Sequence, residues 1–329
     1  MRLECTFVIS FFLVIVNWPA KASEKITGSG VFLNNEPVPS ISYALKRAFD
    51  GSEILIKAGV YNDGGVLNAN SVTIRGEIGT HLKGYAAEGK ATLIINGNDT
   101  QILNIECSGV RVSDGNGACI RLKGENLTIE NVFFHDSEQG MLSGKNSGTV
   151  TIENSRFERL GFAGRAHAIY VGGGELYIHN SKFLSSKDEG HEIKSRAEKT
   201  IISNSTIASL NEKDSRLLDI PNGGVLSIKN SVLQQGNNTS NWNLIGYGLE
   251  GIKHKKNTVD IKRNIFILDR DGGSLVFHKR GNVEDISLTE NIIVGKFHDT
   301  NLIEDNFVFE NRGVAGIKAF PFLPERQLD

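Results

Sequence analysis

The chain has 329 residues, 39% of them hydrophobic, and a formal net charge of −2 at pH 7. This length and hydrophobic content predict a large, well-buried core. The near-neutral charge provides no basic field that would attract nucleic acid, so we do not expect a nucleic-acid partner. The sequence contains 36 glycines against 6 prolines, which indicates many tight turns.

The N-terminal segment has the features of an export signal. Arg2 gives it a positive start, residues 6–16 are apolar, and residues 20–22 form an A-x-A cleavage site. The apolar run is shorter than the ~20 residues that span a bilayer, and no later segment is longer. We therefore expect a signal peptide over residues 1–22, cleavage near Ala22, a secreted or periplasmic location and no membrane-spanning segment.

A short helix is predicted over residues 40–49. Ile41, Leu45 and Phe49 lie at positions i, i+4 and i+8 of one apolar face, and Ser40 is the expected N-cap. We expect this helix to cap one end of the core. Short β segments separated by glycines follow it.

Two cysteines remain after the signal, Cys107 and Cys119. An oxidising compartment permits a disulfide between them. The alternative is a pair of buried thiols on neighbouring strands, because the sequence does not give the Cα spacing that a disulfide requires.

An alternating apolar run that ends on an asparagine occurs eight times between Leu127 and Glu310. The asparagines are Asn131, Asn154, Asn180, Asn204, Asn230, Asn264, Asn291 and Asn306. Their spacing of 15 to 34 residues is typical of β-solenoid coils. We expect them to have a structural role, because asparagine tolerates a left-handed backbone and its amide can bond to neighbouring coils.

Each coil from residue 118 also carries a second strand, and three of these strands, at 167–171, 190–196 and 217–222, carry polar side chains. Strict alternation places four of them on one outer face: Tyr170, Glu192, Lys194 and Asp219. Arg196 joins them if its strand continues, whereas His191 turns inward unless Gly190 begins the strand and frees it. Neighbouring strands lie ~4.8 Å apart, so the outer side chains are expected within mutual reach.

The strings HAIYVG, GHEIKSRA, LLDIPNGG and NLIGYGLEG resemble a recurrent pattern of exported bacterial proteins in the pectin-lyase-like superfamily. The resemblance covers most of residues 41–251 and implies a right-handed parallel β-helix. A narrower likeness exists to the alginate-lyase and chondroitinase B family, in which glutamates precede a lysine followed by serine. Glu192 and Lys194 match that lettering, although the acid-to-lysine spacing is shorter here. The likeness implies that Lys194 is a base, that Arg196 or Arg216 assists it, and that acidic residues hold calcium.

β-Elimination on a uronic acid needs a neutralised carboxylate, a base at C5 and a proton for the leaving oxygen. We expect Lys194 to be the base and Arg196 to hold the sugar carboxylate through two parallel hydrogen bonds. The candidate acids are Tyr170, His167 and His191. Glu192 and Asp219 are the expected ligands of a calcium ion.

Other functions fit the same residues. Glu192 and Asp219 would suit a retaining glycosidase if their carboxylates were ~5–5.5 Å apart. A non-catalytic face that binds a glycan, or a surface-structural protein with solvated charge pairs, is the other alternative. Residues 237–256 carry Trp242, Tyr247 and a basic run, and they form either a wall of a sugar-binding groove or an exposed loop.

The sequence thus predicts an all-β, single-stranded parallel β-helix over residues 23–329, with the helix cap at 40–49, regular coils at 118–311 and a C-terminal tail at 312–329. The predicted function is that of an exported carbohydrate-active protein that acts on an acidic polysaccharide by β-elimination. Calcium is the one cofactor expected. The identity of the polysaccharide and the oligomeric state do not follow from the sequence.

Overall fold

The computed structural model describes residues 30–299 and 304–325. The predicted signal peptide and the last four residues of the tail lie outside the described residues. The described chain forms one α-helix, α1 (Ile41–Arg47), and 32 β-strands. In these ranges no helix has the length and apolar character needed to cross a membrane.

The strands form three long sheets, and the chain adds one strand to each sheet in turn as it completes a coil. In spatial order, sheet A contains β2 (Glu36–Val38), β1 (Val31–Leu33), β3 (Glu53–Ile56), β6 (Thr73–Gly76), β9 (Thr100–Leu103), β12 (Leu127–Glu130), β15 (Thr149–Glu153), β18 (Glu175–His179), β21 (Lys199–Ser203), β24 (Val225–Lys229), β27 (Thr258–Lys262) and β30 (Asp285–Thr289). Sheet B contains β4 (Gly59–Tyr61), β7 (Thr80–Lys83), β10 (Glu106–Ser108), β13 (Phe133–His135), β16 (Arg156–Glu158), β19 (Lys182–Leu184), β22 (Thr206–Ala208), β25 (Val232–Gln235), β28 (Ile265–Leu268), β31 (Ile292–Gly295) and β32 (Phe307–Phe309). Sheet C contains β5 (Gly65–Leu67), β8 (Ala91–Ile95), β11 (Ala118–Leu122), β14 (Gln139–Ser143), β17 (Ile169–Val171), β20 (Ile193–Ser195), β23 (Leu218–Ile220), β26 (Asn243–Tyr247) and β29 (Leu275–Lys279).

Strand β1 pairs antiparallel with β2 and β3, and from β3 onward successive coils stack in parallel. The molecule is therefore an all-β, right-handed parallel β-helix of about nine turns, as predicted. The coils begin at Glu53, before the expected start at residue 118. Their first strands are short and lie between glycine turns, so the asparagine repeat does not mark them.

Columns of identical apolar side chains form the core. On sheet A, nine isoleucines from successive coils are stacked in register and at most 1% exposed: Ile54, Ile74, Ile102, Ile129, Ile152, Ile178, Ile202, Ile228 and Ile261. On sheet B, Phe157 stacks on Phe183 with ring centroids 4.7 Å apart. Each side chain is buried by the same position of the next coil, so one coil alone cannot form this core.

The asparagines at the bends between sheets A and B form two columns rather than one. Asn131, Asn154, Asn180, Asn204 and Asn230 have positive φ angles between 44° and 51°. Asn180 Nδ2 donates a hydrogen bond to Asn154 Oδ1 at 2.7 Å, which links two coils. The five angles confirm the predicted left-handed bend, and the bond between Asn180 and Asn154 confirms the inter-coil amide bonding at these two positions.

From the next coil the asparagine moves one residue along the chain. Arg263 and Glu290 now have the positive φ, and Asn264 and Asn291 are buried. Asn264 Oδ1 accepts a hydrogen bond from the backbone N–H of Ser231 at 2.9 Å. The buried amide thus replaces the serine hydroxyls that bond to this N–H position in the preceding coils.

The N-terminal cap agrees with the sequence prediction except at one residue. Ser40 Oγ accepts a hydrogen bond from the Tyr43 backbone N–H at 3.0 Å, and Ile41 and Leu45 are buried. Phe49 lies beyond the end of α1 and is 63% exposed. Its assignment to the apolar face was wrong because the helix ends before the i+8 position.

A disulfide joins Cys107 of sheet B to Cys119 of sheet C, with the Cα atoms 5.9 Å apart. The alternative of two separate thiols is therefore wrong. At the opposite end of the described chain, Arg312 donates two hydrogen bonds to the Asp269 carboxylate, at 2.7 and 2.6 Å, and so fixes the tail next to β28.

Candidate active site on the outer face of sheet C

Three consecutive strands of sheet C bring Tyr170, Lys194 and Asp219 into one register column, which Gly246 of the next strand continues. Their neighbours along each strand, such as Ile193, are fully buried in the core. Alternation therefore directs the column to the outer face, as the sequence predicted.

Asp219 is the centre of the charge arrangement, although its side chain is only 5% exposed. Its Oδ2 lies 3.1 Å from Lys194 Nζ and 3.5 Å from His191 Nε2. Its Oδ1 lies 3.5 Å from Arg216 Nη1. Three groups that carry protons on nitrogen thus surround one carboxylate.

A second carboxylate, Glu250, comes from the turn after β26 and faces the same cluster. It lies 2.7 Å from Arg196 Nη2 and 3.6 Å from Lys194 Nζ. Arg196 also donates from Nε to the Tyr170 hydroxyl at 2.8 Å and from Nη1 to Asn222 Oδ1 at 2.9 Å. We define the sheet C cluster as Tyr170, Lys194, Arg196, Arg216, Asp219 and Glu250.

Glu250 and Asn222 were not identified from the sequence, because both follow the ends of strands, where alternation gives no direction. The strings LLDIPNGG and NLIGYGLEG contain them, so the segments that carry the resemblance were the available signal. Arg216 precedes its strand in the same way, and the narrower family likeness was what indicated it.

Arg216 lies across the strand that carries Gly246. A Cβ at Gly246 would lie 3.0 Å from Arg216 Cδ and 3.1 Å from Arg216 Nε. Any larger residue at this position would therefore crowd the Arg216 side chain. Arg216 Nε is buried and has no hydrogen-bond partner among the described residues. A buried donor of this kind is costly to leave unpaired.

His167 and His191 form a buried ladder beneath the cluster rather than a part of its surface. His167 Nδ1 accepts from the backbone N–H of His191, and His191 Nδ1 accepts from the backbone N–H of Arg216, both at 3.1 Å. Burial lowers the pKa of both imidazoles well below the usual value, and the neighbouring His191 and Lys194, respectively, lower it further. Both rings are therefore neutral at pH 7, with the proton on Nε2, and they are poor proton donors.

Glu192 does not face the cluster, and its expected outward position was wrong. The side chain is fully buried, and its carboxyl group accepts from the Ser186 backbone N–H at 2.6 Å and from Ser186 Oγ at 2.7 Å. Burial raises its pKa well above the usual value, and the nearby Asp214 raises it further. β20 begins only at Ile193, so Glu192 belongs to the preceding turn.

The displacement of Glu192 affects two sequence-based hypotheses. The glycosidase pair Glu192–Asp219 does not lie on one accessible face. The predicted calcium site also loses one ligand, while Asp219 is occupied by two cations and a histidine N–H. Because calcium prefers six to eight oxygen ligands, this donor set does not fit it.

The two aromatic residues of the predicted groove wall have different positions. Tyr247 is fully buried on β26, and its hydroxyl donates to the Gly224 carbonyl. Burial raises its pKa to about 12. Its assignment to a groove wall was wrong, because Ile245 and Tyr247 share the inward side of the strand. Trp242 is 46% exposed, and its ring lies 5.8 Å from that of His298.

The fold is shared with solved structures, whereas a scan against protein-family models and a search of curated proteins each found no match. An alginate lyase from Paenibacillus sp. str. FPU-7 has 14% sequence identity, with 82% of this chain and 95% of that chain covered and a TM-score of 0.53. The pectate lyase Pel9A has 16% identity, with 87% and 77% covered and a TM-score of 0.56. At these identities the likeness shows the common parallel β-helix.

Proposed function

We propose that this chain is an exported carbohydrate-active protein that cleaves an acidic polysaccharide by β-elimination at the sheet C cluster. The observation that supports this proposal most directly is that three cationic side chains and one tyrosine hydroxyl lie together on the outer face of sheet C. Lys194, Arg196 and Arg216 outnumber the carboxylates of Asp219 and Glu250, so the cluster favours an anionic ligand. The alginate and pectate lyases of the same fold act, by their names, on uronate polymers.

The arginines are suited to the substrate carboxylate. A guanidinium binds a carboxylate through two parallel hydrogen bonds, and this binding neutralises the charge that opposes removal of the C5 proton. Arg216, whose side chain is 20% exposed, offers its guanidinium group, and Arg196 exchanges Glu250 for the sugar carboxylate. The carboxylate of the sugar is then stabilised as negative charge develops on it.

The contacts favour Tyr170 as the base and Lys194 as the acid, which reverses the role that the family likeness implied for Lys194. The Tyr170 oxygen accepts a hydrogen bond from the positively charged Arg196, which holds this oxygen beside a cation. Lys194 forms salt bridges with Asp219 and Glu250, so its ammonium group is held at the site with protons to donate.

The reaction then follows from these two positions. Tyr170 removes the C5 proton, and the electrons of the C5–H bond form the C4–C5 double bond. The C4–O bond breaks, and Lys194 protonates the oxygen that leaves. Tyr170 and Lys194 are register partners on adjacent strands, ~4.8 Å apart, which suits two groups that act on neighbouring carbons.

The test is a screen of alginate, polygalacturonate, glucuronan and chondroitin for products with the ultraviolet absorbance of an unsaturated uronate. Tyr170→Phe and Lys194→Ala should each reduce kcat by ~10²–10⁴-fold. Tyr177→Phe is the matched control, because Tyr177 also bonds to a cation, Lys199, but on sheet A. New reducing ends without the absorbance would show hydrolysis, and glycan binding without any product would show a binding protein.

A synthetic uronate with an aryloxy group at C4 distinguishes the acid from the base, because this leaving group needs no proton. Lys194→Ala should regain most of the lost activity on that substrate, and Tyr170→Phe should not. The opposite result would make Lys194 the base.

A further inference from the structure

A second group of ionisable side chains lies on sheet B, on strands other than those of the sheet C cluster. His81, Glu106 and His135 come from β7, β10 and β13 of successive coils, and their potential ligand atoms all lie within 4.8 Å of one another. Glu106 Oε1 is 3.4 Å from His81 Nδ1 and 3.0 Å from His135 Nε2. All three side chains are partly buried, between 14% and 22% exposed.

Both ring nitrogens of His135 face a carboxylate oxygen. One ring nitrogen, Nδ1, is 2.6 Å from Asp136 Oδ2, and the other, Nε2, is 3.0 Å from Glu106 Oε1. A neutral imidazole carries one N–H and can satisfy only one of these carboxylates. The remaining lone pair would then face a negative oxygen, unless a second proton or a metal ion lies between them.

The hydrogen bonds to the second ring nitrogen of each histidine favour a metal ion over a second proton. Arg159 donates two hydrogen bonds to Asp136, at 2.9 and 2.7 Å, and so holds this carboxylate in place beside His135. Asp136 therefore fixes the proton of His135 on Nδ1 and directs Nε2 towards Glu106. His81 is oriented similarly, because its Nε2 bonds to Ser108 Oγ at 2.7 Å. Histidines that bind metals characteristically have the second ring nitrogen fixed by such a partner.

We propose that His81 Nδ1, Glu106 Oε1 and His135 Nε2 bind a divalent transition-metal ion of the zinc type. Tetrahedral bonds of 2.0–2.2 Å would place ligand atoms ~3.3–3.5 Å apart, close to the 3.4 and 3.0 Å found here. Two imidazoles with one carboxylate suit zinc, cobalt or iron and not calcium, which takes oxygen ligands.

The site also has an entrance. Glu106 and Phe133 line a surface groove of about 680 Å³, and the ring of Phe133 stacks on His135 with centroids 4.2 Å apart. Three protein ligands leave the fourth tetrahedral position of a zinc-type ion open, where water or a small anion can bind the metal.

The test uses the full chain, treated with a chelator, dialysed and titrated with Co²⁺ or Zn²⁺ alone. Co²⁺ should give the visible absorption of a four-coordinate site, and calorimetry with Zn²⁺ should give one ion per chain. Glu106→Gln and His135→Gln should abolish the absorption, and Asp136→Asn should weaken Zn²⁺ binding ~10–100-fold. His179→Gln is the matched control, because His179 is exposed on sheet A and its Nδ1 also bonds to a serine hydroxyl, that of Ser203.

Melting curves in the presence of chelator show whether each variant is folded. Wild-type protein that gives no cobalt absorption would overturn the proposal, whatever the variants do. Equal Zn²⁺ affinity of wild type and Glu106→Gln would do the same. Nitrogen NMR that shows His135 protonated on both ring nitrogens in excess Zn²⁺ would assign the cation as a proton.

Discussion

Replacement of Asp219 by asparagine tests whether the sheet C cluster depends on one buried charge. The substitution keeps the shape of the side chain and removes the charge that faces Lys194, Arg216 and His191. The amide oxygen can still accept one hydrogen bond, but the amide NH₂ must then face a cation. We expect both the stability and the activity to fall.

The size of the effect follows from distance and burial. At an effective dielectric constant of ~20, the contacts of Asp219 with Lys194 and Arg216, at 3.1 and 3.5 Å, each correspond to about 5 kcal/mol before desolvation. Loss of one partner from a buried ion pair costs ~3–5 kcal/mol. The side chains of Lys194 and Arg216 are 16% and 20% exposed, so water can partly solvate their charges in the variant. We therefore expect Asp219→Asn to lower the free energy of unfolding by ~2–3 kcal/mol.

Urea unfolding of the wild type, Asp219→Asn and Asp260→Asn measures this loss. Asp260 is the matched control, because it lies 2.7 Å from Lys229 while both side chains are more than 40% exposed. An exposed pair of this kind contributes at most ~1 kcal/mol. If Asp219→Asn changed the unfolding free energy by no more than Asp260→Asn, the central role of Asp219 would be refuted.

Three further changes test other parts of the structure. Burial raises the pKa of Asp214 to about 7 from 3.8, so the folded protein keeps a proton that the unfolded chain releases, and stability from this group falls as the pH rises through that window. Urea unfolding at pH values below 3.8 and above 7 measures this change. Between these two pH values, the unfolding free energy of Asp214→Asn should fall by ~2–4 kcal/mol less than that of the wild type. Gly246→Ala should displace the side chains of Arg216 and Leu249, which lie 2.8–3.1 Å from the added Cβ, and reduce kcat/KM for uronate polymers roughly tenfold. Cys119→Ser should cost ~2–3 kcal/mol by removing the bond to Cys107, and a reductant should then destabilise only the wild type.

The period of the asparagine-ended repeat predicts the fold well, because each coil repeats one physical requirement. Isoleucines such as Ile152 and Ile178 recur at the same phase of every coil, and they can be buried only by stacking. The repeat did not predict the shift of the asparagine column by one residue at Asn264. That shift conserves a buried hydrogen bond from a backbone N–H of the preceding coil, which either a serine hydroxyl or an asparagine amide oxygen can accept.

The sequence predicted the positions of those site residues that lie within strands, but not of those that lie in turns or at strand ends. Alternation assigned Tyr170, Lys194 and Asp219 correctly to one outer column. It was wrong for Glu192, because the chain turns just before Ile193 and directs that side chain towards Ser186. Turns and strand ends follow local backbone geometry, which a period of two residues does not encode.

The His81–Glu106–His135 group shows a further consequence of the solenoid. The three residues are separated by 25 and 29 positions in sequence, which is about one coil each. His81 is the register partner of Glu106, whereas His135 is the register partner of Ser108, two residues further along β10, so the coil period alone does not align the three. The outer face of sheet B can exchange apolar for polar side chains at little cost, because the inward columns supply the stability. Since each coil contacts mainly its neighbours, changes on β7, β10 and β13 should leave the cluster of β20 and β23 intact. The metal-binding and elimination hypotheses can therefore fail independently of each other.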